Sequence, residues 1–130
     1  MVSSFASPYI ALCVAMPASA EQIAICARFQ SEVVPAEPDL KVGIALNTLK
    51  LLPLNATRCE QENGTCGWYI YCGEYSEDPE FYQPLHVSHL SKYCPTIIPY
   101  LALAPGWRVL VAPDYEDVWY DPHCLYKNNA

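Results

Sequence analysis

The sequence predicts an α+β fold: a small single domain in which a mainly antiparallel sheet carries two to four short helices packed against it. Three observations carry this expectation. The 130-residue chain has enough material for one modest core and too little for two. Apolar residues make up 52% and charged residues only 16%, so burial can offset the entropy of ordering the chain. Its 12 prolines cut it into short elements, in which period-two alternation and helical spacing take turns. No internal repeat or low-complexity tract is present.

Residues 1–20 read as an N-terminal extension, ahead of a domain over 21–130. "YIALCVAM" before Ala18-Ser19-Ala20 has the apolar and small-residue parts of a signal peptide, but no Lys or Arg precedes Arg28. Ser19-Ala-Glu-Gln22 is a capping box, and Ile25, Cys26, Phe29 and Val33 follow at helical spacing, which predicts a helix from about Ala20 to Ser31. "VVPAEPDL" ends it. Val42, Ile44 and Leu46 alternate with Gly43 and Ala45, a strand whose small-residue face admits close packing. Residues Lys50 to Thr65 carry turn and polar signals and read as a long loop; Trp68, Ile70 and Cys72 then alternate with Tyr69 and Tyr71 in a second strand.

The stretch "GWYIYCGEYSEDPEFYQPLHVSHL" holds the residues with most chemistry. Asp78-Pro79 has the form of an N-cap followed by a first helical residue, so "DPEFY" predicts a short helical turn with its acids at the positive end. Pro84 predicts a second such start, on a helix that carries both histidines with His86 inward or at its boundary and His89 at the edge of the apolar arc. "PTIIPYLAL" reads as a short apolar helix constrained by Pro99, and Pro105-Gly106 as a turn into the strand "WRVLVA". That strand and "VWYD" predict a hairpin, with Trp107, Val109 and Val111 on one face, Val118 and Tyr120 across from it, and Asp114, Glu116 and Asp117 at its tip.

Composition excludes some functions. Acids outnumber bases 14 to 7 and the net charge is -7, which repels phosphate backbones and anionic membrane surfaces and favours a basic partner. No apolar run approaches the 18 or so residues of a membrane span. The seven cysteines include no C-x-x-C pair, so zinc-ribbon and thioredoxin spacings are missing. Cys26, Cys72 and Cys94 sit in apolar patterns as core residues, whereas Cys59 and Cys66 flank "EQENGT" and are the pair to bridge in an oxidising compartment. Asn55-Ala-Thr57 and Asn63-Gly-Thr65 match the glycosylation sequon, which matters only in a secreted eukaryotic chain.

Catalytic readings need partners that the spacing does not supply. His86 and His89 can share an ion, but a third ligand would have to come from Glu74, Asp121 or His123 through the fold. Carboxylate pairs among Glu74, Glu77, Asp78 and Glu80 have the residue types of a glycosidase, yet acids in loops are ordinarily solvated. No cysteine-protease signature, Gly-rich phosphate loop or G-x-S-x-G elbow occurs. No metal and no cofactor is therefore expected, and the acids and histidines are expected to cap, orient and solvate a scaffold that binds.

Gly67-Trp68 opening a strand, Gly73-Glu74 closing it, Ile97-Ile98-Pro99 with Leu101, and Gly106 starting a later strand form a series. With the upstream "AICARFQSEVVPAEPDLKVGIALN", this series resembles a bacterial immunity-protein family of polymorphic toxin systems, immunity protein thirty-three. The likeness runs from about Glu21 to Asp121. The Trp107 strand, the "PDYEDVW" hairpin and the abundance of cysteine depart from the common form. What the resemblance implies is a non-catalytic cytoplasmic protein that neutralises a cognate protein toxin, a basic one by charge, without nucleic-acid or membrane partners.

A surface for such a partner is expected at Glu74, Tyr75, Glu77, Asp78 and Glu80 and at Asp114, Tyr115, Glu116 and Asp117, with aromatic anchors among acids. Two other classes stay open at this point. One is a regulatory or ligand-binding scaffold, marked by an apolar pocket with convergent polar groups. The other is a hydrolase or metal enzyme built on Glu74, His86 and His89.

Overall fold

The computed structural model describes residues 18–125. Six strands form its frame: β1 (Lys41–Ile44), β2 (Leu54–Arg58), β3 (Thr65–Cys72), β4 (Gln83–His86), β5 (Trp107–Ala112) and β6 (Tyr115–Tyr120). They lie in one sheet in the order β4-β1-β3-β2-β5-β6. The pairing of β1 with β3 is parallel and the other pairings are antiparallel, so the α+β expectation holds.

Helix α1 (Ala20–Phe29) forms where the capping box predicts it. Ser19 Oγ accepts from the Gln22 N–H at 3.1 Å while Gln22 Oε1 accepts from the Ser19 N–H at 3.0 Å, which satisfies two of the N–H groups a helix start leaves open. It ends at Gln30, whose φ of 67° is the left-handed turn of a helix C-terminus. Cys26 is buried beneath it, with Ile25 and Phe29 partly buried at its sides. The Gln22 side chain also donates to the Ile98 carbonyl at 2.8 Å, tying the helix to the 3₁₀ segment Pro95–Tyr100.

The central strand β2 lies inside the stretch 50–65 that the sequence presents as a loop. Leu54, Ala56 and Arg58 face the core while Asn55 and Thr57 face away, an alternation hidden because its third inward residue is an arginine. β1 stops at Ile44, and Leu46 begins a 3₁₀ turn, Leu46–Thr48. Pro84 lies within the edge strand β4 rather than at a helix start. The helix that follows, α2 (Leu90–Tyr93), is a single turn preceded by the 3₁₀ turn Val87–His89. "DPEFY" makes no helix: the Asp78 carboxylate accepts from the Glu80 N–H at 2.9 Å and its carbonyl from the Phe81 N–H at 2.9 Å, a side-chain-closed turn.

One face of the sheet carries α1, the Pro95–Tyr100 segment and the chain that leaves it. Val42, Ile44, Leu54, Ala56, Trp68, Ile70, Val109 and Val118 supply the strand side of this core; Leu90, Ile97, Leu101 and Leu103 supply the other. Cys26, Cys72 and Cys94 are buried in it as predicted. Cys66 is a free thiol, so no bridge joins it to Cys59.

Arg58 is 1% exposed, and among the described residues no carboxylate forms a salt bridge with it. Its Nε donates to the Cys66 carbonyl at 3.0 Å, and Nη1 to the carbonyls of Val34, Leu103 and Leu101 at 2.6, 2.8 and 3.2 Å. The guanidinium also lies over the Trp68 ring, 5.8 Å from its centroid. Burial lowers its pKa from the ordinary arginine value, but the carbonyl dipoles supply the acceptors that a buried cation requires. Trp68 Nε1 reaches the same Leu101 carbonyl at 3.0 Å. Together these two side chains fasten the segments around Val34 and Leu101–Leu103 to the sheet.

Candidate interaction surface

The strand register brings three connections to one end of the sheet. Leu54 pairs with Cys72 on one side and with Val111 on the other, and Ala112 pairs with Tyr115. The segment before Leu54, the segment after Cys72 and the β5–β6 turn therefore lie side by side. Leu51 packs against Gly73, where φ is 79° and an added Cβ would sit 3.0 Å from the leucine. From β3 to β6 this end spans three strand spacings of about 4.8 Å each.

The loop 73–82 folds back over the face opposite the helices. Tyr69 and Tyr71 point to that face because their neighbours Trp68, Ile70 and Cys72 point to the core. Phe81 and Tyr82 stack edge to face at 5.0 Å, Tyr82 meets Tyr69 at 5.2 Å, and Tyr75 meets Phe81 and Tyr71 at 5.5 and 5.8 Å. Gly43 makes room: a Cβ there would lie 2.7 Å from the Tyr69 ring. Burial raises the pKa of Tyr82 well above the usual phenol value and raises that of Tyr71 as well, a mark of how far the cluster excludes water. The aromatic cluster holds the loop, and its acids stand outside it.

The predicted site residues divide. Glu74, Tyr75, Glu77, Asp78 and Glu80 are exposed on the loop that leads from β3 to β4, and Asp114 and Tyr115 are exposed at the β5–β6 turn, so the register puts both groups at one end of the sheet, on either side of β3 and β2. Only Asp114 of the three tip acids is in the turn itself, at φ 64° after Pro113. Asp117 lies along β6 toward the face shared by Tyr115, while Glu116 points to the helix face. There Glu116 pairs with Arg28 and accepts from the Tyr100 hydroxyl. Glu116 thus ties α1 and the 3₁₀ segment to β6.

Leu51 and Leu52, which precede β2 and were not among the expected site residues, are 54% and 62% exposed at this end of the sheet, where Tyr75 on the loop is 54% and Tyr115 at the start of β6 is 52% exposed. Exposed large apolar side chains and exposed acids at the same end of the sheet are the residue types from which protein interfaces are built. The sequence signal was present in "KLLPL", an apolar pair before a proline that a loop would not otherwise need.

The histidines belong elsewhere. His86 pairs with Lys41, which pairs with Thr65, at the end of the sheet away from Cys72 and Glu74. His86 and His89 are exposed, with rings 5.8 Å apart, so of the two orientations expected for His86, inward or at the boundary, the inward one does not occur. Glu74 is not brought to them. Among the described residues no group of three or more His, Cys, Asp or Glu side chains is placed to hold a metal ion. Asp121 and His123 pair with each other at 3.3 Å, and Asp121 also meets Arg108 at 3.2 Å. The His123 N–H, with Arg108, holds the Asp121 carboxyl below the usual carboxylate range. Among the described residues no helix is long and apolar enough to cross a membrane.

Comparison with known proteins places this geometry in a family. Neither the curated proteins nor the solved structures give a match to the chain. The Imm33-like domain matches it over residues 21–121, the span that contains α1 but for its first residue, all six strands and the acidic end of the sheet. That match agrees with the resemblance carried by Gly67-Trp68, Gly73-Glu74, Ile97-Ile98-Pro99 and Gly106, and the chain belongs to the Imm33-like domain family.

Proposed function

We propose that this chain is an immunity protein that binds a cognate bacterial toxin and neutralises it without catalysis, acting in the cytoplasm. The family name supports the class. The observation that carries the mode of action is that Leu51, Leu52, Tyr75 and Tyr115, all about half exposed or more, stand at the end of the sheet that also presents Glu74, Glu77, Asp78, Glu80 and Asp114. Such a surface excludes water at its centre and selects a basic partner at its rim. A net charge of -7 speeds encounter with a basic toxin and disfavours nucleic acid and anionic membranes as partners. The binding domain starts with the Ser19 cap of α1, two residues ahead of the expected boundary at 21, and the residues before it serve as an extension.

Co-expression tests this. The toxin encoded beside the chain should arrest growth alone, and growth should return with the chain present. The two should purify together at one to one. Replacing Leu52 and Tyr75 with Asp together should abolish protection while leaving the chain folded by circular dichroism. Protection that survives this double change would remove the sheet end from the mechanism. Protection that is catalytic, with substoichiometric chain sufficing, would overturn the binder reading.

A further inference from the structure

The two edges of the sheet are not alike. β4 has four residues and carries Pro84, which lacks an N–H, so that edge is short and blunted. β6 has six residues, no proline, and pairs only with β5 among the described residues. Which of its backbone groups are open follows from the hairpin. Ala112 and Tyr115 flank a two-residue turn and form a pair that exchanges both hydrogen bonds, and bonded and non-bonded pairs alternate from there. Leu110–Asp117 and Arg108–Trp119 are thus bonded pairs, and the bond from the Asp121 N–H to the Gly106 carbonyl at 2.7 Å continues the alternation. The N–H and C=O groups of Glu116, Val118 and Tyr120 consequently point away from β5.

We infer that this β6 edge receives an extended segment of the toxin as a seventh strand, one in which Lys or Arg residues alternate with apolar ones. This rests on the toxin-binding reading above and adds the manner of contact. Backbone pairing supplies direction and register, as in other cases where a strand is added to a sheet edge. Charge selects the occupant: Asp117 and the nearby Asp114 form no ion pair among the described residues, and both stand exposed. Cross-strand pairs of opposite charge stabilise a ladder and like charges destabilise it, so a basic strand is favoured over a second copy of this acidic edge. Tyr115 and Tyr120, 52% and 51% exposed, flank the ladder at its two ends.

The test uses the toxin domain encoded beside this chain, purified with it as a complex. Tyr120→Ala and Tyr120→Pro both remove the ring that stacks on Trp107, but only the proline removes the outward N–H. The proline variant should bind about tenfold more weakly than the alanine variant, as loss of one hydrogen bond implies. In the unaltered complex the amides of Glu116, Val118 and Tyr120 should exchange with solvent at least about 100-fold more slowly than in the free chain. This exchange measurement decides the matter should the proline variant fail to fold. Bound toxin with those three amides still exchanging freely would sink the edge and leave neutralisation standing. Failure of the toxin to bind at all would remove both readings. A concentration-dependent dimer of the free chain that protects the same amides would assign the edge to a second copy and overturn the proposal.

Discussion

The helix side of the sheet and its Cys72 end treat charge in opposite ways. On the helix side a single cation, Arg58, is sealed from water and met by four carbonyls from three stretches of chain. At the Cys72 end Glu74, Glu77, Asp78 and Glu80 stand in solvent on a loop fastened by aromatic rings. The first arrangement lowers the energy of one conformation. The second leaves stability almost untouched and shapes what the surface attracts. The difference separates two properties that a substitution usually changes together: residues around Arg58 hold segments of the fold to one another, and the loop acids set the charge of the exposed surface.

The sharpest break should come at Arg58. Arg58→Met keeps the stem and strands the carbonyls of Cys66, Val34, Leu101 and Leu103, and should cost about 3–5 kcal/mol in urea unfolding. Against a total of about 5–15 kcal/mol that loss leaves a marginal protein. A smaller change in the midpoint would mean that water takes over those carbonyls.

On the opposing side, Glu77→Lys with Glu80→Lys should slow association with the toxin about tenfold at low salt, with the difference shrinking as salt rises. The urea midpoint should not move. A shifted midpoint would show the loop acids to be structural after all.

Between the two lies Tyr100, which burial and the Glu116 carboxylate push up to about 12. The folded state holds this proton more tightly than the unfolded chain, whose phenol titrates near 10. Its contribution is complete below about pH 10 and is lost as pH rises toward 12. Tyr100→Phe should therefore flatten the decline in stability across that window, read from unfolding curves at several pH values. The smallest effect belongs to Asp78→Ala, which opens one turn of the loop by removing the bond to the Glu80 N–H, at about 0.5–1.5 kcal/mol or less by exchange of the loop amides.

Much of this arrangement was legible in the sequence. The capping box at Ser19 located α1, alternation at Trp68, Ile70 and Cys72 located β3, and Val109 does pair with Val118 in the expected hairpin. What escaped was governed by contacts distant in sequence. β2 was hidden because Arg58 reads as polar, and nothing local announces that carbonyls 24 to 45 residues away will accept its protons. Pro84 signals a helix start on local grounds, but pairing with Gly43 made it an edge-strand residue. Of the acidic cluster, composition gave the sign of the charge, whereas only the strand register brought Asp114 and Glu77 to one end. Glu116 looked like its neighbours in "DYEDV", and the pleat alone turned it toward Arg28.

The bonds of Arg58 also bear on how the chain reaches its fold. Val34, Cys66, Leu101 and Leu103 converge on one guanidinium from across most of the domain, so no fragment shorter than about that span contains the finished core. Contacts this far apart along the chain make for slow, all-or-none folding rather than assembly piece by piece. A ribosome must therefore release the segment through Leu103 before the surroundings of Arg58 can close, and β5 and β6, which complete the sheet, emerge later still.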